Sequence, residues 1–378
     1  MIRDSIKGKI LSDVSFITTV YNEEESIVEF LESLMSQTHL PGEIIIVDGG
    51  SRDCTFEKIL GFFKISKPRN KEESETALES LGKEGKIKIK AALVGVEDEV
   101  KKDEVKTVIK NDDGVINVIV MKKIGANISQ GRNEAIKKAS GKIICVSDAG
   151  CILDKNWMLE ITRFHDDTSC VAVGGLNKPY CKNFIQKCLA VCIMPLREEI
   201  KAEKYMPSSR NISFKKKIWS DVSGYPENMD YGEDMKFNFY IKNAGYRIKF
   251  NPDAIVFWKM RENLIQISQQ FFRYAKGDAM GKMYLYRHII RFIVFLMLVA
   301  ILVSAFCISG WILFILVPLF IAYIYKSYNR LVKSFVNKDS CCFYGREKFF
   351  SIFFIPLLLL QIDFSKMCGY TFGLFKSN

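Results

Sequence analysis

Residues 289–325 are almost entirely apolar, and no other feature restricts the possible folds so strongly. The stretch is about twice the roughly 20 residues that one helix needs to cross a bilayer. Gly310 and Trp311 interrupt it midway, which predicts a hairpin of two helices joined by a tight turn. Basic residues flank both ends, Arg287 and Arg291 before it and Lys326, Arg330 and Lys333 after it. A hairpin puts both flanks on one side of a membrane, and the positive-inside bias makes that side cytosolic. The later run 349–360, FFSIFFIPLLLL, is too short to span, and Asp363 and Lys366 follow it at a cost in lipid. It reads as an interfacial or re-entrant segment, with a third, imperfect spanning helix as the alternative. The expected division is therefore 1–285 as a globular domain, 286–328 as a transmembrane hairpin and 329–378 as an amphipathic C-terminal segment.

The 378 residues carry a formal net charge of +11. A basic chain can bind nucleic acid, anionic lipid or phosphate-bearing ligands. Here the basic residues alternate with acids and gather without compensation mainly beside the apolar segments, which favours membrane lipids and speaks against nucleic acid. The eleven cysteines are irregularly spaced with no CxxC pair, and they read as reduced, mostly buried thiols of a cytosolic compartment. His39, His165 and His288 lie too far apart to suggest a zinc site. The N-terminus, MIRDSIKGKILSD, lacks an apolar core of signal-peptide length, so the first domain is expected to stay cytosolic.

Residues 14–21 (VSFITTVY) form a β-branched apolar run, and EEESIVEFLESLMSQ follows with Ile27, Phe30, Leu31 and Leu34 at helical spacing. Asn22 is placed to cap that helix. The run EIIIVDGG is a second buried strand closing on Asp48. Continuous apolar strands alternating with helices imply an α/β fold with an open, mostly parallel sheet. Residues 66–113 interrupt the pattern with a Lys- and Glu-rich insertion. It reads as partly helical, disordered around 67–86, with strand-like runs at 87–96 and 115–121 that allow an added hairpin. A helix over 130–139 then leads into a strand at 142–147 that delivers Asp148.

In open α/β sheets, ligands bind at the carboxyl ends of the strands. Asp48, Asp53 and Asp148 all fall at or just beyond such ends. Converging acids need a cation or a hydrogen-bonding ligand, although aspartate is also an ordinary turn residue. Glu233 and Asp234 open a further helix, where they complement its dipole or take part in chemistry.

The runs TTVYNEEE, VDGGSRD, GRNEAIKKASGKIICVSDAGC, SSRNISFKK and GEDMKFNFYIKNAGYRI resemble, in order, the family-2 glycosyltransferases of the GT-A, Rossmann-like fold. The resemblance covers roughly residues 14–280 apart from the insertion. It implies that Thr18, Val20, Tyr21 and Glu23 line a nucleotide pocket, that Asp48 bonds the base, and that Arg132 lies near base and diphosphate. Asp148 stands at the metal-binding DxD position, with Mg²⁺ or Mn²⁺ expected there. Asp234 stands at the catalytic base, with Glu233 beside it. Asp148-Ala149-Gly150 lacks the second acid of DxD, so Asp148 is left to hold the metal almost alone, with metal independence as the lesser alternative. Arg210, in the segment SSRN, meets either an anionic group or a core acid. Gln270, Arg273 and Tyr274 resemble the QxxRW motif of processive polysaccharide synthases, with tyrosine for tryptophan, and equally suit an amphipathic linker helix.

The implied activity is an inverting, metal-dependent transfer from a nucleotide-diphosphate sugar to a lipid-linked or saccharide acceptor, by a multi-pass protein of the cell membrane with its catalytic domain in the cytosol. A processive polysaccharide synthase and a non-catalytic membrane scaffold are the competing readings.

Overall fold

The computed structural model describes residues 8–65, 99–101, 104–111, 113–167, 170–336 and 341–376. The chain forms two compact units, the first comprising Met1–Leu176, Tyr205–Glu227 and Phe237–Val256, the second Asn177–Lys204, Asn228–Lys236 and Phe257–Asn378.

Through the first unit runs a ten-stranded sheet. Its strands are β1 (Lys9–Val20), β2 (His39–Asp48), β3 (Glu99–Lys101), β4 (Glu104–Asn111), β5 (Gly114–Lys122), β6 (Ile143–Val146), β7 (Cys151–Leu153), β8 (Ala172–Tyr180), β9 (Ile212–Lys215) and β10 (Ile248–Lys259). They are ordered β3-β4-β5-β2-β1-β6-β9-β8-β10-β7. The centre, β5-β2-β1-β6, is parallel, whereas β3, β4 and β9 join antiparallel. Ile44, Ile45, Ile46 and Val47 of β2 are all fully buried, as expected of a parallel strand covered on both faces. From the insertion the structure adds the hairpin β4–β5, which contains the expected strand 115–121. The readings for 67–86 and 87–96 lie outside the described residues.

The helix Ile27–Met35 buries Ile27, Phe30, Leu31 and Leu34, the face marked by their spacing. Its N-cap is Ser26 and not Asn22. A turn over Glu23–Ser26 delays the helix, and Asn22 takes a left-handed φ of 55°. Its side chain instead accepts the Arg52 N–H at 2.9 Å. The helix Ile128–Lys138 starts from a capping box between Asn127 and Gln130. A Cβ at Gly131 would lie 2.7 Å from Thr19 Cγ2, so only glycine lets this helix rest on β1.

His165 is buried, with Nε2 2.7 Å from Ser213 Oγ. The Ser213 hydroxyl is committed to the Ile161 carbonyl at 2.6 Å, so Nε2–H is the donor. Burial, assisted by Lys215, lowers its pKa to about 4. The unfolded chain therefore takes up a proton as pH falls through the usual value of 6.5, and the folded chain only near 4. Stability is full above the upper value and falls by about 3 kcal/mol across that window. Denaturant titrations at several pH values should show this slope, and His165→Gln should flatten it.

Among the described residues, the second unit contains three helices that are long and apolar enough to cross a membrane, within Leu285–Cys307, Gly310–Val336 and Arg346–Lys376. The first two are separated where Gly310 and Trp311 predicted, by a short 3₁₀ turn over Gly310–Ile315. The run 349–360 is not a short segment, because it lies inside one continuous 31-residue helix. Pro356 removes an N–H from that helix, and the Tyr328 hydroxyl donates to the carbonyl of Ile352 that is left over. Nor do its charges stand alone. Asp363 accepts from Arg291 Nε at 2.8 Å and from the Tyr323 hydroxyl at 2.9 Å.

The reading of uniformly reduced thiols is corrected at one pair, since Cys181 and Cys341 form a disulfide. They are 160 residues apart, so spacing gave no hint of the partnership. Cys145, Cys151, Cys170 and Cys188 are buried free thiols, as expected.

Candidate active site

The predicted residues fall into two groups, one in each unit. In the first, β2 ends at Asp48, whose Cα is paired with that of Val20 at the end of β1. Asp48 is fully buried. Its Oδ1 accepts from the Gly50 N–H at 2.9 Å, the Ser51 N–H at 2.7 Å and the Ser51 hydroxyl at 2.8 Å. Its Oδ2 is buried with no hydrogen-bond partner among the described residues. Burying a lone carboxylate oxygen is costly, and a ligand N–H would offset that cost. Thr18 and Val20 are buried within the sheet, whereas Tyr21 is exposed. Glu23 accepts from the Ser26 hydroxyl at 2.5 Å.

Asp53 is occupied by its own loop. It accepts from the Thr55 N–H and hydroxyl at 3.0 and 2.5 Å and from the Glu24 N–H at 3.2 Å. Slight burial raises its pKa, but the hydrogen bonds from Thr55 and the backbone outweigh this and leave it lowered. It shapes the turn after β2.

Asp148 follows β6. Arg132 Nη2 donates to its Oδ1 at 2.8 Å, and Arg210 Nε lies 4.0 Å from its Oδ2. The Arg132 side chain is only 2 % exposed, and its guanidinium sits 5.4 Å from the centre of the Tyr225 ring. Arg210 thus faces the acid that follows β6. Asn133, adjacent to Arg132, accepts from the Tyr225 N–H at 2.9 Å and donates to its carbonyl at 2.9 Å. Tyr225 and Asn133 were not singled out from sequence. The only available signal was the position of Asn133 inside the GRNEA run.

These surroundings do not suit the divalent cation expected at Asp148. Hard cations want several oxygen ligands, and Gly150 supplies no side-chain oxygen. Two guanidinium groups already face the single carboxylate. Among the described residues, no group of three His, Cys, Asp or Glu side chains is placed to hold a metal. The donor set does not fit a resident cation.

The second group belongs to the second unit. Gly232, at φ +74°, turns the chain into the helix Glu233–Asn243. Glu233 is buried and Asp234 half-buried. Asp234 Oδ1 accepts the Met235 N–H at 2.8 Å. The preceding loop is pressed on the helix Leu264–Met280, where a Cβ at Gly277 would lie 2.2 Å from the Tyr231 carbonyl oxygen. On that helix Gln270 Nε2 donates to the Tyr274 hydroxyl at 2.8 Å, and the Arg273 guanidinium lies 5.6 Å from the Tyr231 ring centre. The structure thus joins the Gln270-Arg273-Tyr274 motif to the loop that leads into Asp234. Tyr231 and Gly277, which make the junction, carry no motif of their own.

Two family models match the chain, one described as glycosyl transferase family 2 over residues 15–74 and one as glycosyl transferase family group 2 over residues 176–329. These matches define the class, a glycosyltransferase. Together they take in more than half of the chain, which belongs to family 2 of these enzymes. It is 23 % identical over 270 residues to the glycosyltransferase AglE of Haloferax volcanii, covering 70 % of this chain and 72 % of that one. It is 26 % identical over 279 residues to the poly-β-1,6-N-acetyl-D-glucosamine synthase of Staphylococcus aureus, covering 71 % of this chain and 55 % of the synthase. The match thus spans little more than half of that relative. The solved structure of the mannosyltransferase PcManGT from Pyrobaculum calidifontis, in complex with GDP-Man and Mn²⁺, aligns at 15 % identity with a TM-score of 0.48, covering 97 % of this chain and 86 % of that one. Residues 1–349 of S. aureus TarS align at 16 % identity with a TM-score of 0.43, covering 71 % and 65 %. Both are distant likenesses.

Proposed function

We propose that this glycosyltransferase binds a nucleotide-diphosphate sugar at the carboxyl ends of β2, β1 and β6 and transfers the sugar with inversion. The observation that carries the reading is the pair Asp48 and Asp148 at the ends of β2 and β6, on either side of β1, with Arg132 and Arg210 gathered on the second acid. Asp48 has an oxygen to offer a base N–H, and the arginines suit phosphate. The acceptor hydroxyl oxygen bonds to the anomeric carbon as the bond from that carbon to the diphosphate breaks. The electron pair leaves with the diphosphate, and the hydroxyl proton passes to Asp234. No covalent enzyme intermediate is needed.

The globular part up to about residue 285 is then held at a membrane by the apolar helices, near a lipid-linked or saccharide acceptor and the lipids themselves. The flanks Arg287, Arg291, Lys326, Arg330 and Lys333 support a cytosolic active site. The bias counts these residues rather than net charge, so the partnering of Arg330 with Glu199 does not cancel it. The Cys181–Cys341 disulfide stands against a reducing compartment. A processive synthase is the second reading, favoured by the Gln270-Arg273-Tyr274 arrangement and the synthase relative.

The test is to incubate the detergent-solubilised protein with a panel of nucleotide sugars and measure nucleoside diphosphate release, then size the labelled product. Release from one donor with a single added sugar supports transfer to a discrete acceptor. A long polymer supports the synthase. Nucleotide binding without release from any donor, whatever lipid or saccharide is added, favours the non-catalytic scaffold.

A further inference from the structure

We propose that Arg132 and Arg210, gathered on Asp148, do for the donor diphosphate what a divalent cation would otherwise do, so that donor binding needs no metal. The inference rests on the reading of this site as the donor site. Asp148 is then a positioning residue. Its carboxylate, bonded at 2.8 Å to Arg132 and 4.0 Å from Arg210, aims two guanidinium groups at one place. Arg132 is held further by the Tyr225 ring and by its own burial, so little reorganisation is required when charge develops.

When the bond from the anomeric carbon to the diphosphate breaks, its electron pair adds one negative charge to the leaving oxygen. Guanidinium forks match phosphate oxygens with paired hydrogen bonds. Packing does not explain the missing second acid either. A Cβ on Gly150 would meet nothing within 4 Å, and its φ lies outside the left-handed range. An aspartate would fit there, and its charge would counter the arginines.

The experiment measures binding of UDP and GDP, and of uridine and guanosine as controls, to the whole solubilised protein. It is run in excess chelator and again in Mn²⁺ or Mg²⁺. The expected result is diphosphate binding that survives chelation. Arg210→Gln should weaken diphosphate binding about 10- to 100-fold and leave nucleoside binding unchanged, with partial recovery in Arg210→Lys. Gly150→Asp should make binding sensitive to the chelator. Circular dichroism shows whether each variant is folded, and the chelation arm needs no variant. Diphosphate binding that collapses on chelation of the unaltered protein overturns the inference and leaves the donor reading standing. A folded Arg210→Gln that binds diphosphate normally also overturns it. Absence of binding by any of the four probes, with metal or without, removes the donor reading and the inference together.

Discussion

Asp234→Asn is expected to lower sugar transfer by about 10²- to 10⁴-fold, the usual contribution of a positioned general base. Nucleoside diphosphate binding should be unchanged. Asparagine keeps the shape and can still accept the Met235 N–H that Asp234 accepts now at 2.8 Å. The helix start is held separately by the turn at Gly232 and the close approach of Tyr231 to Gly277. The substitution therefore removes a proton acceptor without removing structure. Single-turnover measurement with the donor found in the panel decides the matter. Turnover within a few-fold of the unaltered protein would take the base role away from Asp234.

The largest expected loss of stability is at Asn211. This residue is fully buried, and its side chain joins three parts of the first unit. Oδ1 accepts from Trp157 Nε1 at 2.8 Å. Nδ2 donates to the carbonyls of Leu176 at 3.1 Å and Ala254 at 3.0 Å. Asn211→Ala removes a bond from each of three buried partners, at about 1–3 kcal/mol each. Even with relaxation, about 3–6 kcal/mol is expected, a large part of the roughly 5–15 kcal/mol that holds a typical domain together. Thermal or denaturant unfolding followed by tryptophan fluorescence should show it. An unchanged midpoint would mean that the neighbours find other partners. Gly175 confirms how tightly this hub is packed, since a Cβ there would lie 2.1 Å from the Ala254 carbonyl oxygen.

Local pattern carried the sequence reading a long way. The apolar runs of β1, β2 and β6 announced the parallel core, because a strand buried on both faces has no polar alternation to hide. Ile27, Phe30, Leu31 and Leu34 marked the first helix for the same reason. Asn22 misled because capping propensity is only local. The turn over Glu23–Ser26 depends on the loop at Ser51–Thr55, which accepts the Glu23 N–H through Thr55 at 2.7 Å. At residues 346–376 the local pattern hid the length of the helix, because Asp363 is answered by Arg291, 72 residues earlier.

The site shows the same division. Asp48, Asp148 and Asp234 could be chosen from short motifs. That Asp148 is answered by two arginines was not legible, because Arg132 comes 16 residues before it and Arg210 well after it. The disulfide was hidden in the same way. Cys181 has no cysteine close behind it, and Cys341 stands next to Cys342, so spacing ranked neither.

During synthesis, Arg291 leaves the ribosome 72 residues ahead of Asp363. Until the last helix is complete, the first carries an unanswered cation, at a cost of up to about 3 kcal/mol if it enters the bilayer interior. Tyr323, from the second helix, likewise waits for Asp363. The three helices therefore reach their final arrangement only at the end of translation, and a chain stopped before residue 363 has lost the counter-ion for the first. The pairing of Arg291 is thus completed only within the final helix.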